Sequence, residues 1–222
     1  MIYARTAAVP AAALLAMLVG GCAAPQPPKT WDGLEYRAVK GMDAAYVRPG
    51  VGFASYESVL IDPVEVSFDG NLDKAGGTAG TTRRLGSSDL DAIKDRMATD
   101  FHRILSDELA SGGYRMVGSP AADTLRLSPS LVDVYASPPE VMAPGRSRSY
   151  TLEAGRMTLV MELRDGLTGQ LLARIVDQKA GTRSGELRLD STAPNSADFQ
   201  RAVSDWARKL REGLDAVTGK AL

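Results

Sequence analysis

Cysteine and histidine are nearly absent from this 222-residue chain, which holds one of each, Cys22 and His102. A lone cysteine cannot form a disulfide within the chain, so burial of apolar side chains has to stabilise the fold. Zinc sites usually combine several cysteine or histidine ligands, which this chain does not have. A Ser-His-Asp triad would have to use His102, and no Gly-x-Ser-x-Gly motif precedes it. The sequence therefore predicts no metal, no cofactor and no enzyme.

An excess of positive charge is also missing, since 26 Lys and Arg stand against 27 Asp and Glu. Proteins that bind nucleic acid need a basic face, and no run of basic residues is present. Nucleic acid is therefore not an expected partner. Acidic residues that are close in sequence are expected to be solvated surface charge rather than acid–base pairs. These are Asp62 with Glu65, Asp89 with Asp91 and Asp95, and Asp107 with Glu108.

The longest apolar run is too short to cross a bilayer. It extends from Ala7 to Val19, is interrupted by Pro10, and is followed at once by polar, proline-rich sequence. A membrane-spanning helix needs about 20 consecutive apolar residues. Because Arg5 and the free amine precede the run, the pattern predicts a cleaved leader over residues 1–21.

The end of this run, Leu18-Val19-Gly20-Gly21-Cys22, resembles the lipobox of bacterial lipoproteins. In that class the thiol receives a diacylglyceryl group, the leader is cut off before the cysteine, and the new amine is acylated. The resemblance implies a lipid anchor on Cys22, because two or three acyl chains hold a protein firmly at a membrane. The alternative is an ordinary secretory leader cut after Ala23 or Ala24. Since lipoproteins retained at the inner membrane tend to have aspartate after the cysteine, Ala23 implies the outer membrane, with the protein facing the periplasm.

The mature chain is predicted to consist of a tether and one domain. Residues 22–30 are rich in proline and polar residues, which favour an extended spacer. Residues 31–222 are enough for one domain with a full core. Trp31 is expected to open the domain, and an irregular segment packed across the core is predicted up to Ser55.

Two amphipathic helices are predicted from apolar residues at three- and four-residue spacing. Ser88 is the expected start of the first helix, Gly112-Gly113 its end, and His102, one position off the stripe, is expected at its surface. The stripe contains Leu90, Ile93, Met97, Phe101, Ile104, Leu105 and Leu109. The second helix begins near Asn195 or Ser196 and ends before Gly219. Its stripe contains Phe199, Val203, Trp206, Leu210, Leu214 and Val217, with Trp206 as a core anchor.

Alternating apolar residues predict strands at Tyr56–Phe68, with Pro63 at an edge or bulge, and at Tyr114–Tyr135, with a bend at Pro129. A hairpin is predicted from Arg156–Arg164 and Gln170–Gln178, with Asp165 and Thr168 bonding the backbone of its turn. Residues 69–87 and 137–149 are predicted loops. The expected fold class is α+β, a mainly antiparallel sheet with both amphipathic helices packed on one face.

Several short peptides together resemble the bacterial lipoproteins of the domain of unknown function 3313 family. They are Trp31-Asp32-Gly33-Leu34, Tyr46-Val47-Arg48-Pro49-Gly50, Tyr56 with Leu60-Ile61-Asp62-Pro63-Val64-Glu65-Val66, the Asp165-x-x-Thr168-Gly169 turn and Trp206. The resemblance covers nearly the whole mature chain. It implies an envelope lipoprotein of undetermined role and assigns no catalytic residues.

Two functions therefore remain open. The first is a non-enzymatic envelope lipoprotein with a structural role, or with a protein or cell-wall partner. The second is a small-ligand or lipid-binding lipoprotein, which requires an enclosed apolar pocket between helices and sheet. Its lining would come from Met97, Met116, Met157 and Met161.

Overall fold

A computed structural model describes residues 27–68, 87–134, 151–154, 156–180, 187–190 and 197–220. Its strands are β1 (Thr30–Trp31), β2 (Leu34–Arg37), β3 (Ala44–Val47), β4 (Ser58–Ile61), β5 (Glu65–Phe68), β6 (Arg115–Met116), β7 (Thr124–Val134), β8 (Thr151–Ala154), β9 (Arg156–Asp165), β10 (Leu171–Ala180) and β11 (Leu187–Asp190). Its helices are α1 (Ser87–Ser111) and α2 (Ala197–Thr218).

Nine strands form one sheet in the order β1-β2-β3-β10-β9-β7-β4-β6, with β5 also paired to β7. Every neighbouring pair from β1 to β7 is antiparallel, which confirms the predicted α+β class with a mainly antiparallel sheet. The pairs of β4 and β5 with β7, and of β4 with β6, are parallel, which the sequence analysis did not predict. A parallel pair needs a crossover connection, and α1 lies in the one between β5 and β7.

Both helices cover the same face of the sheet. Phe101 of α1, Trp206 of α2 and Met161 of β9 meet around a space of only about 10 Å³. Most of the predicted apolar stripe of α1 is buried or half-buried there, and His102 is exposed, as predicted. Gly113 has a φ of 78°, and Tyr114 N donates to Leu109 O at 3.1 Å, so the helix ends where the two glycines predicted.

Helix α2 follows its predicted pattern except at its last turn. Phe199, Val203 and Trp206 are buried, and Gly219 accepts the left-handed conformation just past the end. Val217 is 51% exposed, so its assignment to the buried stripe is wrong. Periodicity alone does not show at which turn a helix ceases to pack on the surface beneath it.

The segment between Trp31 and Ser55 is more regular than predicted. It contains β1, β2 and β3, which extend the sheet antiparallel to β10. These strands were missed because they are only two to four residues long and glycines separate them.

The predicted strand at Tyr56–Phe68 is two strands, β4 and β5, separated at Asp62-Pro63-Val64. In β4 the buried apolar residue is Val59, beside the buried Ser58, and not Leu60 as predicted. Pro129 does not bend β7, which continues through it opposite Met161 of β9. The missing N–H of Pro129 costs no ladder bond, because Pro129 lies between the stretches of β7 that pair with β4 and β5.

The hairpin of β9 and β10 is confirmed, with a register shift between Leu171 and Ala173. Beyond it, β8 and β11 pair as a second small sheet that the sequence analysis did not identify. The predicted loop at 137–149 and all but Ser87 of the predicted loop at 69–87 lie outside the described residues.

Candidate functional site

Cys22, the single site residue predicted from the sequence, lies outside the described residues, as do the predicted leader 1–21 and the first part of the tether. The structure does show how the chain that follows the tether enters the domain. Tyr36 N donates to Lys29 O at 2.9 Å, and β1 then pairs with β2 at the edge of the sheet.

The tether junction consists of Trp31, Asp32, Tyr46, Glu162 and Arg174. The Trp31 ring meets Tyr46 edge to face, with centroids 5.5 Å apart. The guanidinium of Arg174 lies 4.2 Å from the Trp31 ring, in cation–π geometry. Trp31 thereby shields Arg174, which is only 8% exposed although it is on the face of the sheet opposite the helices.

Arg174 is balanced by carboxylates on both sides. Its Nη1 lies 2.7 Å from Asp32, and its Nη2 lies 2.6 Å from Glu162, which also binds Arg164 at 2.6 Å. Burial raises the pKa of Glu162, but hydrogen bonds from Arg174 and Arg164 outweigh it and hold that pKa below its ordinary value. The junction therefore ties the start of the domain to the central hairpin through paired charges.

A second buried charge lies on the helix-covered face. Asp177 of β10 is 4% exposed and accepts the indole N–H of Trp206 at 2.7 Å. It also accepts the backbone N–H of Asp43 at 3.0 Å and lies 3.4 Å from Lys179. The prediction that Trp206 is a core anchor is confirmed, and the partner of its indole N–H is a carboxylate.

His102, Ser106 and Asp62 line one open groove of about 480 Å³ at the β4–β6 side of the sheet. They do not form a catalytic triad, because Asp62 is engaged elsewhere. Its carboxylate accepts two bonds from Arg126 Nε, at 2.8 and 2.9 Å, and one from the Ser128 hydroxyl at 2.6 Å. No hydrogen bond between His102 and Ser106 occurs among the described residues.

The other described acidic residues of the three sequence groups are exposed or paired with arginine. Glu65, Asp91 and Asp95 are exposed, whereas the side chain of Asp89 lies outside the described part of the chain. Asp107 pairs with Arg103 at 3.6 Å, and Glu108 pairs with Arg211 of α2 at 2.7 Å. Across the described ranges, no three His, Cys, Asp or Glu side chains are grouped as metal ligands would be.

The hairpin turn is built as predicted, with Asp165 Oδ1 accepting from Thr168 N and Oγ1, both at 2.7 Å. Gly169 has the positive φ that the turn requires, and a Cβ at Gly166 would lie 2.7 Å from Thr124 O. Asp165 has a further role that the sequence did not reveal. Its Oδ2 accepts from the Tyr56 hydroxyl at 2.9 Å, and burial together with this bond raises the pKa of Tyr56 to about 12.

The family model for "Protein of unknown function (DUF3313)" matches residues 29–210, which is most of the chain and includes the tether junction, the groove, α1 and the first two thirds of α2. The chain belongs to the DUF3313 family. The resemblance noted in the sequence is thus confirmed. Among curated proteins, no match to this DUF3313 chain is found.

Solved structures with some likeness to this DUF3313 protein are remote. The PelC dodecamer from Paraburkholderia phytofirmans is 10% identical, covers 74% of this chain and 96% of its own, and has a TM-score of 0.39. A DUF330 protein from Xanthomonas campestris is 11% identical over 82% and 94%, with a TM-score of 0.37. A minor lipoprotein from Acinetobacter baumannii is 12% identical over 72% and 94%, with a TM-score of 0.31. At such scores none of them carries an argument about this chain.

Neither helix of the DUF3313 domain, within the described ranges, is both long and apolar enough to cross a membrane. Of the methionines expected to line a pocket for a small ligand, Met161 borders a space between the helices and the sheet within the described residues. The space between α1, α2 and the sheet, beside Met161, is about 10 Å³, less than one water molecule occupies. Flexible methionine side chains fill this part of the core instead.

The tether junction as a unit is not evident from the sequence. Glu162 and Arg164 alternate with apolar residues along β9, a pattern that does place them on the outer face. Arg174 lies opposite Glu162 across the predicted hairpin, but Trp31 and Asp32 are distant in sequence. Only the pairing of β1, β2 and β3 with one another and with β10 brings these two residues to Arg174.

Proposed function

We propose that this DUF3313 protein is an envelope lipoprotein, attached to the outer membrane by lipid on Cys22 and facing the periplasm. The observation that carries the proposal is the peptide Leu18-Val19-Gly20-Gly21-Cys22, which ends a short apolar run and stands just before the folded domain. The tether junction supports it, because paired charges and an aromatic ring secure the domain where a membrane anchor would pull on the chain.

We further propose that the domain acts without catalysis, as a structural module or as a binding module for an envelope protein or the cell wall. The groups that most resemble catalytic ones are occupied in ways that support this role. Asp62 is neutralised by Arg126, Glu162 by Arg174, and Asp165 holds its own turn. No general base with a free partner is built around His102 within the described residues.

Replacing the lipid-bearing sulfur tests the anchor. Cys22→Ser is expected to abolish incorporation of labelled palmitate and to move the protein from the membrane fraction to the soluble or unprocessed fraction. Ala24→Ser is the matched control, since it adds a hydroxyl two residues away and leaves Cys22 intact. Intact mass of the purified N-terminal peptide gives an independent measure of acylation and cleavage.

The same strains test the interaction role. Crosslinking in intact cells followed by mass spectrometry is expected to recover an envelope protein or cell-wall fragment with the native chain, and less with Cys22→Ser. A Cys22→Ser protein that remains acylated and membrane-bound would contradict the anchor. A native protein that is anchored but captures nothing above background would contradict the interaction role alone.

A further inference from the structure

The direction in which β1 enters the sheet decides where the tether leaves the domain. β1 is antiparallel to β2, with Thr30 opposite Glu35 and Lys29 O bonded to Tyr36 N. Residues that precede Lys29 therefore come from the end of β2 that leads into residues 38–43. The tether leaves beside this loop and not beside the turn at Asp32-Gly33.

The hairpin turn at 165–169 lies at the opposite end of the sheet. Ala44, the residue after the loop, pairs with Val176 of β10, whereas Val47 pairs with Ala173, closer to the turn. The strands of this hairpin have ten residues each, which corresponds to ~33 Å at about 3.3 Å per residue. The loop 38–43 therefore lies at one end of the sheet, and the turn lies at the other.

The tether is too short for the loop end and the turn end to lie equally close to the lipid anchor. Seven steps along the chain separate Cys22 from Lys29, so their Cα atoms are at most ~25 Å apart even when fully extended, at about 3.6 Å per step. A lipid anchor at Cys22 therefore holds the loop end close to the bilayer surface. This step rests on the proposed function.

The surface chemistry of the loop fits lipid headgroups. Val39 is 38% exposed, and Lys40 is exposed with no ion-pair partner among the described residues. The acidic groups nearby are already engaged: Glu35 pairs with Arg37, Asp43 accepts from Gln178 N, and Asp205 binds lysines of β10 and α2. An unpaired cation beside an exposed apolar side chain suits a surface of phosphate groups above acyl chains.

The loop is also held in place by the body of the domain. Lys209 of α2 donates to Gly41 O at 2.8 Å, and the backbone N–H of Asp43 binds the buried Asp177. Its position thus reports the orientation of the whole domain and not a local movement.

We propose that the loop 38–43 faces the phospholipid headgroups of the membrane that holds Cys22, and that the turn 165–169 faces away. The loop end is the lipid-facing surface. The turn end, where Leu167 is 62% exposed, is left for contacts away from the membrane.

The native chain makes the test simple, because its one cysteine is the lipid attachment site and any introduced cysteine is the only free thiol. Val39→Cys and Leu167→Cys, both at exposed apolar positions, are labelled with a fluorophore in the full acylated protein. Each is reconstituted into phosphatidylethanolamine–phosphatidylglycerol vesicles that contain a headgroup-linked quencher. Quenching is expected to be at least threefold stronger at position 39 than at position 167. Adding Lys40→Glu is expected to reduce quenching at position 39 and to leave position 167 unchanged.

Flotation of the vesicles separates the two proposals. Protein that does not float with the vesicles contradicts the lipid anchor. Protein that floats but is quenched equally at both positions, or more at position 167, overturns the orientation and leaves the anchor intact. If the thiol at position 39 is protected from labelling in intact envelopes but its fluorophore is not quenched in vesicles, the loop contacts a protein partner. This outcome also overturns the proposal.

Discussion

The two faces of β10 each hold a buried charged side chain, and the groups that surround the charge differ between the faces. Asp177 lies under the helices and is satisfied by a Trp206 indole and a backbone N–H, with Lys179 at 3.4 Å. Arg174 lies on the opposite face, where two carboxylates neutralise it and Trp31 covers it. The helix face supplies two neutral donors inside an apolar core and one lysine at a longer distance, whereas the outer face supplies two close counter-charges near water. Removing a partner of the buried charge is therefore expected to lower the free energy of unfolding more on the helix face.

The largest effect is expected for Trp206. Trp206→Ala opens a cavity between α2 and the sheet and is expected to lower the free energy of unfolding by about 3–5 kcal/mol. Trp206→Phe keeps most of the volume but removes the indole donor from Asp177 Oδ2, which is left with Lys179 at 3.4 Å, for an expected loss of about 1–3 kcal/mol. Urea denaturation followed by circular dichroism measures both.

Trp31→Phe is the matched control, because it makes the same change on the outer face, where the ring and not the indole N–H makes the contacts described. It is expected to cost less than about 1 kcal/mol. A Trp31→Phe loss equal to that of Trp206→Phe would break the comparison between the two faces.

A smaller effect is expected at the tether junction. Arg174→Ala leaves Glu162 and Asp32 without their shared partner, and is expected to lower the free energy of unfolding by about 1–3 kcal/mol. Arg174→Lys keeps the charge but not the forked geometry, so an intermediate loss is expected. Urea denaturation at low and high salt is the measurement.

Arg37→Ala serves as the control for Arg174, because it removes an exposed ion pair with Glu35 in the same part of the domain. Its expected cost is about 0–1 kcal/mol. If Arg174→Ala were as mild as this control, the junction would not hold the start of the domain.

The smallest effect concerns the pH dependence of stability through Asp205. Burial raises the pKa of Asp205, but contacts with Lys179, Lys209 and Arg208 outweigh it, so its pKa lies well below the ordinary 3.8. The unfolded chain then binds the proton more readily, and this contribution to stability is present above pH 3.8 and is lost as the pH falls below it. Asp205→Asn is expected to cost about 1 kcal/mol at pH 7 and to reduce the loss of stability between pH 7 and pH 3.

Thermal or urea denaturation between pH 7 and pH 3 measures this change in stability. Asp107→Asn is the control, since its carboxylate is exposed and 3.6 Å from Arg103. If Asp205→Asn loses as much stability between pH 7 and pH 3 as the native protein, the cluster with Lys179 and Lys209 does not contribute to the pH dependence of stability.

The elements that were predicted well are those whose signal is local and long. Both helices repeat their apolar residues over five turns or more, and the hairpin combines alternation with a Gly-containing turn. The short strands β1 to β3 and the pair β8–β11 were missed because two to four residues do not carry a period of two. Strand direction was also missed, since the parallel pairing of β4 and β5 with β7 depends on the crossover through α1.

By itself, the amino-acid sequence determined the lipobox-like peptide, the family resemblance, the helical stripes and the fold class, because each is a pattern of neighbouring residues. Only the tertiary structure decided that Trp31 covers Arg174, that Trp206 meets Asp177, and that the tether leaves beside the loop 38–43. These contacts join residues more than twenty positions apart, or depend on which end of a strand is paired, and side-chain periodicity does not contain that information.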